Sequence, residues 1–316
     1  MHRRKIQLIA GTTYSVSLPK EWVLKNRLRA KSEVLLHEKN DRTLVVSPSA
    51  MEEKKLNDIS LEVDEYGANI DQVLFALYYI GVENITLFSR KELGKDTKAR
   101  IRKTLTFMSG TVIGYEDKQK ITIKVLLDKS KISMDQLLYR ISLIIDLSMT
   151  NMLEKLDLNE IKINENEIDR YYHLIAKIVS LALIDSSVLH SSGIRHVSLI
   201  PAYFLIGKRL ENIGDNINHL AEYVHQAKED LGKNKQVLDS IRSILNQSIR
   251  PIMQKFPKSF EKTGLSEIKR IHLAIGKIKD RKIADYLKDI VRYLVDIEEE
   301  IVNISFYNKL IKDNLL

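Results

Sequence analysis

Two runs of this sequence place metal-compatible side chains at helical spacing. Glu165, Asp169 and His173 fall at i, i+4 and i+8, and Glu211, Asp215 and His219 repeat that spacing. On a helix, residues four apart share a face, so each run forms a ladder of carboxylate, carboxylate and imidazole. Two adjacent ladders would present four carboxylates to an oxygen-preferring divalent cation such as Mg²⁺. Carboxylate with imidazole would suit zinc or iron instead. The same pattern also describes a solvated acidic stripe, with the histidines as polar edges of a packed face. Gly214 lies between Glu211 and Asp215, where a helical glycine costs about 1 kcal/mol relative to alanine. Its presence points to close approach of a ligand or of another helix.

A second chemistry sits at the other end of the chain. Residues 1–47 hold ten basic side chains against four acidic ones, which is +6 of the net +8. A concentrated positive field suits a polyanion, because neutralising phosphates releases counterions. The basic residues of this stretch include Arg3, Arg4, Lys5, Lys20, Lys25 and Arg27.

Composition removes other chemistries. The chain has no cysteine, which excludes disulfides, thiolate zinc sites and cysteine nucleophiles. No phosphate-binding glycine loop occurs, so phosphate is expected to be sensed only indirectly. None of the eight histidines has an identifiable serine and acid partner for a triad. Met1-His2-Arg3-Arg4-Lys5 is not followed by an apolar stretch, so no secretory signal is expected. The longest apolar run, 174–184, is interrupted by Lys177 and closed by Asp185, too short for a membrane span. A cytoplasmic protein without membrane insertion is the expectation.

Secondary-structure signals change character along the chain. Residues 1–48 read as two hairpins, 5–10 with 14–18 and 33–37 with 43–47, around a short helix at 19–27 opened by Pro19. So few residues bury little core alone, so a homodimer with interleaved strands is expected. Residues 48–58 read as a linker. A small α/β layer over 57–130 follows, in the order βαβαββ, with strands at 59–63, 84–88, 111–116 and 121–127 and helices at 68–80 and 96–108. From Ser133 the period is helical, with a capping-box pattern at Ser133-Met-Asp-Gln136. Helices are expected near 133–156, 164–189, 196–231, 235–256, 266–279 and 281–311, as a pair of three-helix bundles over 133–316. An internal overlay sets Glu211 on Asp296, Asp215 on Glu300 and Asn218 on Asn303.

Arg209-Leu-Glu-Asn-Ile-Gly-Asp-Asn-Ile-Asn-His-Leu-Ala-Glu222 resembles the signature of PhoU, the phosphate-uptake regulators, and Glu165–Ile175 resembles its companion motif. The resemblance implies a divalent or trivalent metal ion (Mg, Zn or Fe) held by carboxylate pairs on bundle helices. It carries Glu165, Asp169, Glu211 and Asp215 into that role, and Asp296 and Glu300 in the second half. There Ile268–His272 stands where another carboxylate pair belongs, which leaves the second site incomplete. Tyr14–Val23 between short strands resembles an AbrB/SpoVT-type swapped-hairpin DNA-binding domain, with Lys31-Ser32 in place of the usual Gly-Asp turn. The resemblance implies that Arg3, Arg4, Lys5, Lys20, Lys25 and Arg27 face DNA, the arginines reading guanine edges through paired hydrogen bonds and the lysines mainly positioning on phosphate. The order of parts is similar to PhoU-related regulators found mainly in archaea.

A multidomain, mainly α protein follows. The functional expectation is a homodimeric DNA-binding regulator of transcription linked to phosphate uptake, with a metal-binding or partner-binding helical domain. The alternative is an adaptor for a phosphate transporter or sensor kinase without specific DNA contact. Enzymatic activity is not expected: di-iron bundles use Glu-x-x-His at i, i+3, and these ladders have no such pair.

Overall fold

The computed structural model describes residues 3–40, 43–48, 58–253 and 265–312. The chain divides into two compact units, Met1–Lys55 and Leu56–Leu316.

In the N-terminal unit β1 (Gln7–Ile9) pairs antiparallel with β2 (Thr13–Ser15) across a turn where Ala10 and Gly11 take positive φ. Pro19 caps α1 (Lys20–Lys25), and β3 (Val34–Asn40) pairs with β4 (Thr43–Pro48). Pro48, expected in the linker, ends β4; the rest of the linker up to Asn57 lies outside the described residues, and Asp58 opens the next strand. This unit leaves its apolar side chains open: Ile6, Leu8, Tyr14, Leu24 and Leu36 are each more than half exposed.

The second unit begins with β5 (Asp58–Glu62), α2 (Ile70–Tyr79), β6 (Asn84–Phe88), α3 (Lys95–Thr106), β7 (Thr111–Glu116) and β8 (Lys120–Val125). The sheet order is β5-β6-β8-β7, with β5 parallel to β6 and the other neighbours antiparallel. Ile85, Leu87, Ile121 and Ile123 alternate onto one face and form a core with Ile70, Leu74 and Tyr78 of α2 and Ile101 of α3.

The helical region comprises α4 (Met134–Glu154), α5 (Leu158–Ala182), α6 (Ser186–Ser191), α7 (Ile200–Ala227), α8 (Lys235–Met253), α9 (Leu265–Ile275) and α10 (Arg281–Lys312). Ser133 is the N-cap of α4, but its side chain makes no cap hydrogen bond. The expected second helix starts six residues early, because Asp157 caps it by accepting from the amides of Asn159 and Glu160. It also stops before Leu183, and Asp185 caps the separate short α6. α4, α5 and α7 pack together, as do α8, α9 and α10, and contacts of α7 with α10 and of α4 with α8 join the two sets. One continuous core runs from Met134 to Ile304, so the two three-helix sets share a hydrophobic interior.

Candidate functional site

The close approach of α5 and α7 builds the site. A methyl group on Gly214 would come 2.9 Å from Ile168 Cδ1, and one on Gly207 would come 3.0 Å from Ile175 Cγ2. Two glycines seven apart therefore face two isoleucines seven apart on an antiparallel partner. This tight packing, rather than a ligand, accounts for Gly214. It also brings the polar edges of the two helices together.

There Asp169, Glu211 and Asp215 each offer a carboxylate oxygen, all within 4.8 Å of one another. Glu211 is only 9% exposed and the two aspartates are partly buried. Burial, with the neighbouring Glu165, Asp215 and Glu211 carboxylates, pushes the Asp169 carboxyl up to about 7. Burial is also the main cause that raises Glu211 and Asp215. Each ladder adds a lysine three residues ahead of its first carboxylate. Lys162 Nζ lies 2.7 Å from Glu165, and Lys208 Nζ lies 2.7 and 2.6 Å from the two oxygens of Glu211. An all-oxygen donor set of this kind fits a hard divalent cation.

The histidines do not join this group. His173 continues the face of Asp169 but stacks on Phe75 of α2, with ring centroids 3.8 Å apart, and its Nδ1 lies 2.5 Å from the Tyr79 hydroxyl. Burial lowers its pKa to about 4. One turn further, Lys177 is buried and donates to the Tyr78 carbonyl at 2.7 Å. The face of α5 that starts at the carboxylates thus becomes the surface on which the α/β layer docks. His219 is exposed, one turn beyond Asp215 and outside the carboxylate group.

The second half places its ladder differently. Arg209, next to Lys208 on α7, reaches α10, where its Nε is 2.7 Å from Asp296 and its guanidinium lies 5.2 Å from the Tyr293 ring centroid. Glu300 accepts from Asn303 Nδ2 at 3.4 Å. On α9, Arg270 pairs with Glu267. Among the described residues, Asp296 and Glu300 belong to no metal-compatible group.

In the N-terminal unit Arg3, Arg4, Lys5, Lys20, Lys25 and Arg27 are all exposed. Lys20 and Lys25 open and close α1, and Arg27 follows it with a positive φ of 55°. Lys162, Lys208 and Arg209 lie outside the four-residue ladders. The i, i+3 spacing of each lysine to its carboxylate was visible, whereas Arg209 to Asp296 and Tyr79 to His173 are long-range contacts.

Fold and site together define a multidomain, mainly α protein whose first three-helix set carries a carboxylate cluster. Comparison with protein families names its parts. Residues 136–224 match the PhoU domain, and residues 7–54 match the family described as antidote-toxin recognition MazE, bacterial antitoxin. The chain therefore carries a PhoU domain behind a MazE/AbrB-type unit. Comparison with curated proteins and with solved structures gives no match. Among the described residues, no helix is long and apolar enough to cross a membrane.

Proposed function

We propose that this chain is a cytoplasmic, DNA-binding regulator of transcription linked to phosphate homeostasis. It works as three parts, 1–48, 57–130 and 133–316, and catalyses no reaction. The observation that carries the reading is the joining, in one chain, of a MazE/AbrB-type unit with six exposed basic side chains to a PhoU domain. The open apolar residues of the N-terminal unit support a homodimer in which a second copy covers them, since an exposed apolar set of this kind marks an interaction surface. Asp169, Glu211 and Asp215, with Glu165 beside them, would hold a divalent cation, and Mg²⁺ suits the donors better than zinc or iron because the histidines lie elsewhere. To regulate, that ion or a phosphate-transport partner must favour one of two states of the dimer.

The test uses full-length protein and its Arg3→Ala, Arg4→Ala, Lys5→Ala triple variant in a salt titration of binding to genomic DNA fragments. If all three side chains meet phosphates, the slope of log K against log salt falls by about 3. Equal affinity and equal salt dependence would favour the adaptor instead, in which the N-terminal unit serves protein contact.

A further inference from the structure

Lys208 has a position that a carboxylate cluster built only to repel its own charges would not explain. Its Nζ touches both oxygens of Glu211 at once, at 2.7 and 2.6 Å. Glu211 is one of the three residues whose oxygens converge within 4.8 Å, and its side chain is 12% exposed while that of Lys208 is 38% exposed. The carboxylate is held inside; the cation has a way out. The same Nζ lies 4.8 Å from the ring centroid of Tyr172, a distance at which an ammonium is still held by the ring face. Lys208 therefore has one partner on the cluster and another beside it.

The second half provides a contrast within the molecule. The cation facing Asp296 is Arg209, whose side chain is 30% exposed and whose guanidinium lies over Tyr293. A guanidinium is a planar fork fixed by stacking, whereas a lysine ammonium is a point charge on a flexible stem. The first can close a site; the second can leave one.

We infer that Lys208 is a tethered cation that holds the carboxylate cluster between metal-binding events, so that a divalent ion must displace it from Glu211 and binds more weakly because of it. The inference rests on the metal reading of Asp169, Glu211 and Asp215 proposed above. Its chemistry is an exchange of one ammonium for one hydrated dication on the same oxygens, with no bond made or broken in the chain. Lys162 on Glu165, at 2.7 Å and with its own side chain 52% exposed, forms an outer pair of the same kind on the facing helix.

The experiment titrates MgCl₂ and MnCl₂ separately into full-length protein by calorimetry, comparing wild type with Lys208→Met, Lys208→Gln and Asp215→Asn. A site that is free in only a fraction of molecules shows an affinity reduced by that fraction, so both Lys208 variants are expected to bind about tenfold tighter than wild type. Their thermal midpoints without metal should fall below that of wild type, and the rise on adding metal should be larger. Equal or weaker binding by both Lys208 variants, with Asp215→Asn abolishing binding, would overturn the role of Lys208 and leave the metal site standing. Absence of binding in all four proteins would overturn both. Agreement between the methionine and glutamine variants excludes a packing effect of either side chain.

Discussion

The two halves of the helical region start from similar ladders and end with different chemistry. In the overlay Glu211 corresponds to Asp296 and Asp215 to Glu300, but Gly214 corresponds to Glu299. The glycine lets α7 approach α5 until Ile168 fills the space of its missing side chain, and this approach brings Asp169 to Glu211 and Asp215. In the second half α9 carries Lys269 and Arg270 rather than a carboxylate pair, and Arg209 from the first half neutralises Asp296. A repeated spacing along one helix makes half a site. The other half comes from a second helix at the right distance.

The largest effect that tests this contrast is on metal affinity. Replacing Asp169 and Asp215 together by Asn should weaken Mg²⁺ or Mn²⁺ binding about 100-fold or more, since even indirect supports of a metal site are worth 10- to 100-fold. Asp296→Asn should leave affinity and stoichiometry unchanged in the same titration. An equal loss from Asp296→Asn would break the contrast.

A smaller effect is expected from Gly214→Val, which inserts side-chain atoms where a methyl carbon already meets Ile168 at 2.9 Å. Overpacking of this kind costs about 1–3 kcal/mol, measurable as a shift in urea midpoint, and metal binding should weaken with it as the helices separate. Full stability with weakened metal binding would instead assign the glycine to the ligand.

The smallest effect separates the top of the first ladder from its carboxylates. His173 has a folded pKa of about 4 against an ordinary value of 6.5, with burial as the main cause and Lys208 second. Between those values the unfolded chain binds the proton more readily, so stability is full above pH 6.5 and falls as pH drops towards 4. The loss is about 1–2 kcal/mol after allowing for partial solvent screening. His173→Phe should flatten that part of the pH profile while leaving metal affinity unchanged. A loss of metal affinity would return His173 to the ligand set.

Much of this arrangement was legible beforehand, for identifiable reasons. The strand limits of β6 and β7 fell where β-branched alternation starts and stops, and Glu165, Asp169, Glu211 and Asp215 were visible because four-residue spacing repeats on a helix. The start of α5 is set by Asp157, seven residues ahead of the helical spacing at 164, and its split from α6 is masked in the sequence by an apolar run that continues through Leu183 and Ile184. Spacing groups His173 with the ladder because i+8 keeps it on the same face. Its partners, Phe75 and Tyr79, are nearly a hundred positions away, and spacing along one helix carries no information about what packs against it.

Patterns along the chain specify the class of the molecule: a basic, strand-rich first unit, a small α/β layer and long amphipathic helices bearing acidic ladders. Local periodicity, caps and charge are properties of neighbouring residues, so they are written along the chain. Helix packing sets which carboxylates converge, which histidine turns to an aromatic stack, and which of two adjacent cations, Lys208 or Arg209, faces which ladder. Those outcomes depend on the distance and register between helices, and here two glycines packed against two isoleucines set both.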